Sequence, residues 1–142
     1  GLDHAKVHMA VYDTNLLDRL RLVGYALSEK LEVLEDLNVA FIWLSKEELD
    51  AHHYRAGDTE GLVNQALSID GVKCAVFIRE GNNKVKMSFR SKGDFDVNEF
   101  ARAHFNGGGH KNAAGGAVSN ATVLEVLEQF KAAISTYESQ LK

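Results

Sequence analysis

A chain of 142 residues with 45% hydrophobic and 25% charged side chains has the length and composition of one globular domain with a proper core. Its net charge of −4 argues against a protein that coats long nucleic acid through many phosphate contacts, but leaves room for a short nucleotide in one local basic pocket. The one cysteine, Cys74, excludes an internal disulfide and lies in an apolar run, as a buried thiol of a cytoplasmic protein would, and no run approaches a membrane span or a signal peptide.

Taken in order, Gly1 at the start in place of Met reads as a fragment of a longer protein. Asp13, Thr14 and Asn15 offer helix caps, and Leu16, Leu20, Val23, Leu27 and Leu31 follow at helical spacing, with Leu17 and Gly24 widening the stripe. This helix is expected to cover one face of a sheet. Lys30 to Leu34 reads as a short strand that turns at Asp36-Leu37-Asn38 into Val39 to Leu44, a run apolar on both faces and therefore a central strand. Ser45 caps a short helix from Lys46 to about His53, and Gly57 to Gly61 form a turn feeding a helix that runs to about Ile69 and stops at Asp70-Gly71. Leu62, Val63, Ala66 and Leu67 are its expected buried stripe.

Val72 to Glu80 reads as a strand with Val72, Cys74, Val76 and Ile78 on one face and Ala75 and Phe77 on the other, closed by a hairpin turn at Gly81-Asn82-Asn83. In Lys84 to Arg90, alternation sends Val85, Met87 and Phe89 inward and Lys84, Lys86, Ser88 and Arg90 outward. Arg90 stands at the C-terminal end of that strand, where α/β sheets gather ligands, with Ser91 directly after it. Asp94 or Asp96 caps a helix to His104, which reads as a helix-face residue without a chemical role. Gly115 to Ser119 form a last strand, and Thr122 with Glu125 open a closing helix through a capping box. The fold expected is α/β: a single domain with a mixed sheet of about five strands and helices on both faces.

The densest signal lies between these last elements, in Asn106 to Gly116, which holds five of the chain's 12 glycines around His110. Three successive glycines can turn their N–H groups into a concave anion nest. Small residues from Ala113 suit a short helix whose N-terminus faces the same point. His110 at that junction can donate a hydrogen bond and, when protonated, a charge.

Hydrolytic machinery is sparse. His4 and His8 are spaced for one helix face but lack a third ligand, and His52 and His53 point apart. No pair of carboxylates has acid–base spacing, and Ser91 has no evident base. The pattern is that of a phosphate binder.

Gly107-Gly108-Gly109-His110 with Ala113-Ala114-Gly115 closely resembles the signature of the DHH-associated domain, the C-terminal half of DHH-family phosphoesterases. Asp58 to Asn64, Ser88-Phe89-Arg90-Ser91 and Asp96-Val97 resemble the branch of oligoribonucleases and 3′-phosphoadenosine-5′-phosphate phosphatases. The resemblance implies an N-terminal domain that holds two manganese ions through aspartates and an Asp-His-His triplet. Asp3-His4-Ala5 and Ala51-His52-His53 are not that triplet, so residues 1–13 are expected to be a linker leaving an absent catalytic domain and 14–142 the associated domain. No catalytic residue or metal ligand is expected here; manganese belongs to the parent enzyme. The resemblance further implies that Arg90 and Ser91 hold a phosphate, that Gly107, Gly108 and Gly109 receive it through backbone N–H groups, and that His110 touches the phosphate nearest the scissile bond. Asn64, Lys86, Lys111 and Asn112 are secondary candidates. The expected function is the substrate-binding half of a phosphoesterase for short oligoribonucleotides, dinucleotides or the bisphosphate nucleotide. The alternative is a single-stranded nucleic-acid-binding module, as in RecJ-type nucleases or alanyl-tRNA synthetases, and a third option is a domain that mediates homodimer contacts. Aromatic content of 8% and the negative charge weigh against a long stacking groove.

Overall fold

The computed structural model, which describes residues 16–142, turns these apolar runs into one six-stranded mixed sheet. A helix over 16–25 (α1) passes into a π-helical turn, Ala26–Lys30. There follow β1 (Leu31–Leu34), a 3₁₀ turn (Glu35–Leu37), β2 (Val39–Leu44), α2 (Lys46–Ala51), α3 (Leu62–Leu67), β3 (Cys74–Glu80) and β4 (Lys84–Ser91). The chain closes with α4 (Val97–His104), β5 (Gly108–His110), β6 (Ala113–Ser119), α5 (Val123–Ser135) and a 3₁₀ turn, Glu138–Gln140. The spatial order is β1-β2-β3-β4-β6-β5, with β2 and β3 parallel and every other pairing antiparallel. The caps proposed at Asp13, Thr14 and Asn15, and the linker at 1–13, lie outside the described residues.

Local signals in the sequence account for most boundaries. Ser45, Thr122 and Asp96 each accept a hydrogen bond from the backbone N–H three residues on, and the first two close full capping boxes with Glu48 and Glu125. Asn38 takes the left-handed conformation that ends the 3₁₀ turn, and its side chain donates to the carbonyl of Leu141 at 2.9 Å. Glu80 accepts from the N–H groups of Lys46 and Val123, tying the starts of α2 and α5 to the end of β3.

The pleat divides the core into two layers. On the back of the sheet Val39, Phe41, Cys74, Val76, Ile78, Val85, Met87 and Phe89 pack against α4 and α5, through Phe100, Phe105, Phe130 and Ile134. On the front, Ala40, Ile42, Leu44, Ala75 and Phe77 pack against α3 and α1, through Leu62, Val63, Ala66 and Leu22. Full burial of one such aliphatic or aromatic side chain contributes about 1.5–3 kcal/mol, so both layers hold the sheet.

Three expectations change. The stripe Leu16-Leu20-Val23-Leu27-Leu31 is only partly buried: Val23, Leu27 and Leu31 pack half-buried against the front layer, Leu22 and Ala26 are the fully buried residues, and Leu17 and Leu20 are 47% and 56% exposed. Leu22 and Ala26, four residues apart, share the face turned to the sheet, and Leu17 and Leu20 lie on the other side of the same helix, before the π turn begins. Val72 precedes β3 and packs with the front layer, not with Cys74. The short helix expected from Ala113 does not form: Ala113–Ser119 is β6, and the glycine run before it supplies β5, the sixth strand of a sheet expected to have about five.

The π turn is fastened to α2 by a polar cluster. Lys30 Nζ lies 2.9 Å from Glu48 Oε1 and 3.3 Å from the centre of the Trp43 ring, and the Tyr25 hydroxyl donates to the other oxygen of Glu48. Burial works to raise the Glu48 pKa, but hydrogen bonds from Ser45 N–H, Tyr25 and Lys30 prevail and hold it below the ordinary carboxylate value.

Candidate functional site

The front layer stops short. Helices cover β2 and β3, whereas the front of β4 and β6 is bare, and α3 with its preceding turn forms one wall of the open cleft that results. This cleft has a volume of about 450 Å³ and is lined by Tyr54, Thr59, Val63, Asn64, Phe77, Arg79, Lys86, Ser88 and Arg90, and by the backbone of Gly115 and Gly116. Alternation in β4 puts Lys86, Ser88 and Arg90 into it and sends Val85, Met87 and Phe89 to the core. Register places Arg79 directly opposite Lys86 and Phe77 opposite Ser88, so β3 supplies both a cation and part of the apolar floor. Three cations thus face one cleft in a chain of net charge −4. Glu60 stands on the rim, and none of the three cations forms an ion pair among the described residues.

Arg90 is anchored without being neutralised. Its Nη1 donates to the carbonyl of Phe89 at 2.9 Å and lies 3.5 Å from that of Ala114. Fixed there, the guanidinium keeps other N–H groups for a ligand with paired oxygens.

The glycine motif is built differently from the nest expected. The Gly107 N–H donates to the carbonyl of Ala101 at 3.2 Å and that of Gly109 to Asn98 Oδ1 at 2.8 Å, so two of the three amides are already engaged by α4. Close approach explains the glycines instead. A β-carbon on Gly107 would fall on the carbonyl of Gly115, and one on Gly109 would sit 2.6 Å from that of Ala113. The motif lets the edge strand β5 lie tight against β6. In the register His110 pairs with Ala113, and Ala113 with Arg90, forming one row across three strands, although His110 does not line the cleft. Two strand spacings, about 10 Å, separate the ends of that row. His110 is exposed.

Asn64, Lys86 and Arg90 therefore converge on the cleft. Ser91, Lys111 and Asn112 do not line it. Ser91 points to the back, is buried, donates its hydroxyl to the carbonyl of Phe95 at 2.7 Å and accepts from Asn112 Nδ2 at 2.9 Å. Lys111 pairs with Asp94 at 3.2 Å, and its carbonyl accepts the first N–H of α4. These three residues brace the end of β4 against the turn after His110. Sequence reasoning missed Arg79, although carrying the Ala75–Phe77 alternation two residues further would have put it on the front. Tyr54 left no signal, since it enters through a turn.

His52 stacks on Tyr25 and shares a hydrogen bond with the carbonyl of Glu48, and His104 bonds the Tyr137 hydroxyl, so both act within the packing. His4 and His8 lie outside the described residues. Among the described residues no group of three or more His, Cys, Asp or Glu stands together as a metal site, and no helix is long and apolar enough to cross a membrane.

The profile of the DHHA1 domain matches residues 36–142, three quarters of the chain. This chain belongs to the DHHA1 domain family. It is 32% identical over 85 residues to the bifunctional oligoribonuclease and PAP phosphatase NrnA of Bacillus subtilis (strain 168), covering 60% of this chain and 26% of NrnA. An exopolyphosphatase-related protein from Bacteroides fragilis matches the structure with a TM-score of 0.82 at 44% identity, over 87% of this chain and 36% of that one. PggH, a pGpG-specific phosphodiesterase from Vibrio cholerae, shares the fold, with a TM-score of 0.61 at 16% identity over 85% of this chain and 39% of its own. This DHHA1 domain thus spans between 26% and 39% of the relatives' lengths.

Proposed function

We propose that this DHHA1 domain is the substrate-binding half of a cytoplasmic, manganese-dependent DHH-family phosphoesterase acting on short oligoribonucleotides, dinucleotides or 3′-phosphoadenosine 5′-phosphate. The observation that carries the reading is the cleft in which Arg79, Lys86 and Arg90 face solvent unpaired by carboxylates, beside the His110–Ala113–Arg90 row. In this reading the Arg90 fork takes two oxygens of one phosphate, and His110 donates a hydrogen bond from the strand edge. Tyr54, Val63 and Phe77 give a base an apolar surface, with Asn64 and Ser88 as polar contacts along it. In this reading manganese would be held by the catalytic domain of the parent enzyme, where it would supply an activated water.

The test is a titration of the isotope-labelled chain with a 5′-phosphorylated di-adenylate, followed by amide NMR. Shifts are expected in β4, β5 and β6, at Phe77 and Tyr54 and in the α3 turn, with α5 unshifted. Arg90→Lys keeps the charge but loses the fork, and should weaken binding by about 1.5–3 kcal/mol, the worth of a charged hydrogen bond. His110→Ala should weaken binding with an unchanged melting temperature, because the ring is exposed. A ligand that shifts no cleft amide at millimolar concentration contradicts the assignment.

A further inference from the structure

The pair Arg79 and Lys86 is not explained by the fold. The two residues are direct cross-strand partners in the β3–β4 ladder, and like charges directly opposite one another destabilise a sheet. Among the described residues neither side chain forms an ion pair or a hydrogen bond, and Glu60, on the same cleft, pairs with neither. Glu80, next in sequence to Arg79, is committed to the N–H groups of Lys46 and Val123. The Arg79 guanidinium is held in place by the Tyr54 ring, 5.3 Å from its carbon. A pre-positioned, unneutralised pair of cations in a cleft is the chemistry of an anion site.

Its position along β4 sets which anion. Alternate residues of a strand repeat every ~7 Å, comparable with the phosphate-to-phosphate step of an extended nucleotide chain. Lys86, Ser88 and Arg90 occupy three successive steps on the cleft face. Resting on the assignment of Arg90 to one phosphate, we propose that Arg79 and Lys86 form a second anion subsite, which takes the phosphate two steps along the strand from the one at Arg90. Ser88 faces the phosphate between. The preferred ligand class is then an oligonucleotide with three phosphates, and affinity steps up when the third is present.

The experiment compares 5′-phosphorylated di-adenylate with 5′-phosphorylated tri-adenylate on the full chain by the same NMR titration. The wild type is expected to bind the three-phosphate ligand about tenfold more tightly, the scale of one charged hydrogen bond, with added shifts at Arg79 and Lys86. Lys86→Gln and Arg79→Gln should each remove that gain, weakening the tri-adenylate about tenfold more than the di-adenylate. Lys84→Gln, which deletes the same charge from the same strand outside the cleft, should keep the gain, and Arg90→Gln should weaken both ligands. A wild type that binds both ligands equally, or variants at Arg79 and Lys86 that retain its full gain, overturns the subsite and leaves the phosphate role of Arg90 standing. A wild type that binds neither overturns both readings.

Discussion

Gly115 and Gly116 are neighbours in β6 with opposite surroundings, which makes them a sharp test of how the site is built. A β-carbon on Gly116 would point to the back layer, 2.9 Å from Phe105 Cβ, 3.0 Å from the Phe105 carbonyl oxygen and 3.2 Å from the Phe89 ring. Phe105 cannot retreat, because its carbonyl accepts the Ala117 N–H at 3.0 Å and its side chain is fully buried. Overpacking of this kind costs about 1–3 kcal/mol, partly offset by the 0.5–1 kcal/mol by which alanine is favoured over glycine in a strand. Gly116→Ala should therefore lose about 1–2 kcal/mol, a fall in melting temperature of roughly 3–6 °C for a domain of this size. A β-carbon on Gly115 would meet only the carbonyl oxygen of Met87, at 3.5 Å, an ordinary contact. Gly115→Ala should melt at or slightly above the wild-type temperature, yet weaken binding of 5′-phosphorylated di-adenylate by placing a methyl group in the cleft. Calorimetric melts and NMR titrations of both variants measure the two effects separately. Equal melting temperatures for the two variants would refute the reasoning, as would a Gly115→Ala protein that loses stability as Gly116→Ala does.

Incubated with manganese and a dinucleotide, the chain alone should show no hydrolysis, and measurable turnover would place metal-holding groups within it. Burial pushes the Cys74 thiol up to about 12, so it should resist disulfide reagents at mildly alkaline pH until the protein is unfolded; immediate labelling of the native state would contradict its position in the core. Tyr25 is also pushed up to about 12, by its hydrogen bond to Glu48, by burial and by the charges of Glu48 and Glu29. Both groups keep their protons in the folded state where the unfolded chain releases them, so their contribution is full below the unfolded values and is lost as pH climbs toward 12. Melting temperature should fall through that window, and a Tyr25→Phe, Cys74→Ala variant should fall less steeply; a slope identical to wild type would exclude this linkage.

Most of the sheet was legible from alternation and from runs of apolar residues. Val39 to Leu44 has one reading, because six successive apolar residues bounded by Asn38 and Ser45 are too short for a helix and too apolar for an edge. The polar face of β4 was equally plain, and with it Lys86 and Arg90. Asn106 to Gly116 was harder. Glycine is compatible both with left-handed turns and with backbones in close contact, and only the distance between β5 and β6 separates the two. Ser91 illustrates the same limit in a smaller way: its place one residue beyond Arg90 puts it on the opposite side of the pleat, yet a short motif invites reading both side chains as one clamp. Arg79 was missed because the strand ends with charged residues that resemble a solvated terminus, and its partner across the ladder is visible only once the register is known.

The tight seating of β5 has a consequence for how the edge of the cleft moves. This strand is three residues long, lies at the margin of the sheet and sends no side chain into either core layer. Peeling it away breaks a short ladder and the bonds to Ala101 and Asn98 while the hydrophobic layers stay closed. Its amides therefore exchange with solvent through a local opening far below the free energy of global unfolding, whereas those of β2 and β3 wait for the whole domain to open. His110 rides on the part of the molecule that opens most cheaply. Occupancy of the cleft should consequently be written most strongly in the exchange rates of Gly108, Gly109 and His110, where a ligand that engages the histidine slows the opening without altering the core.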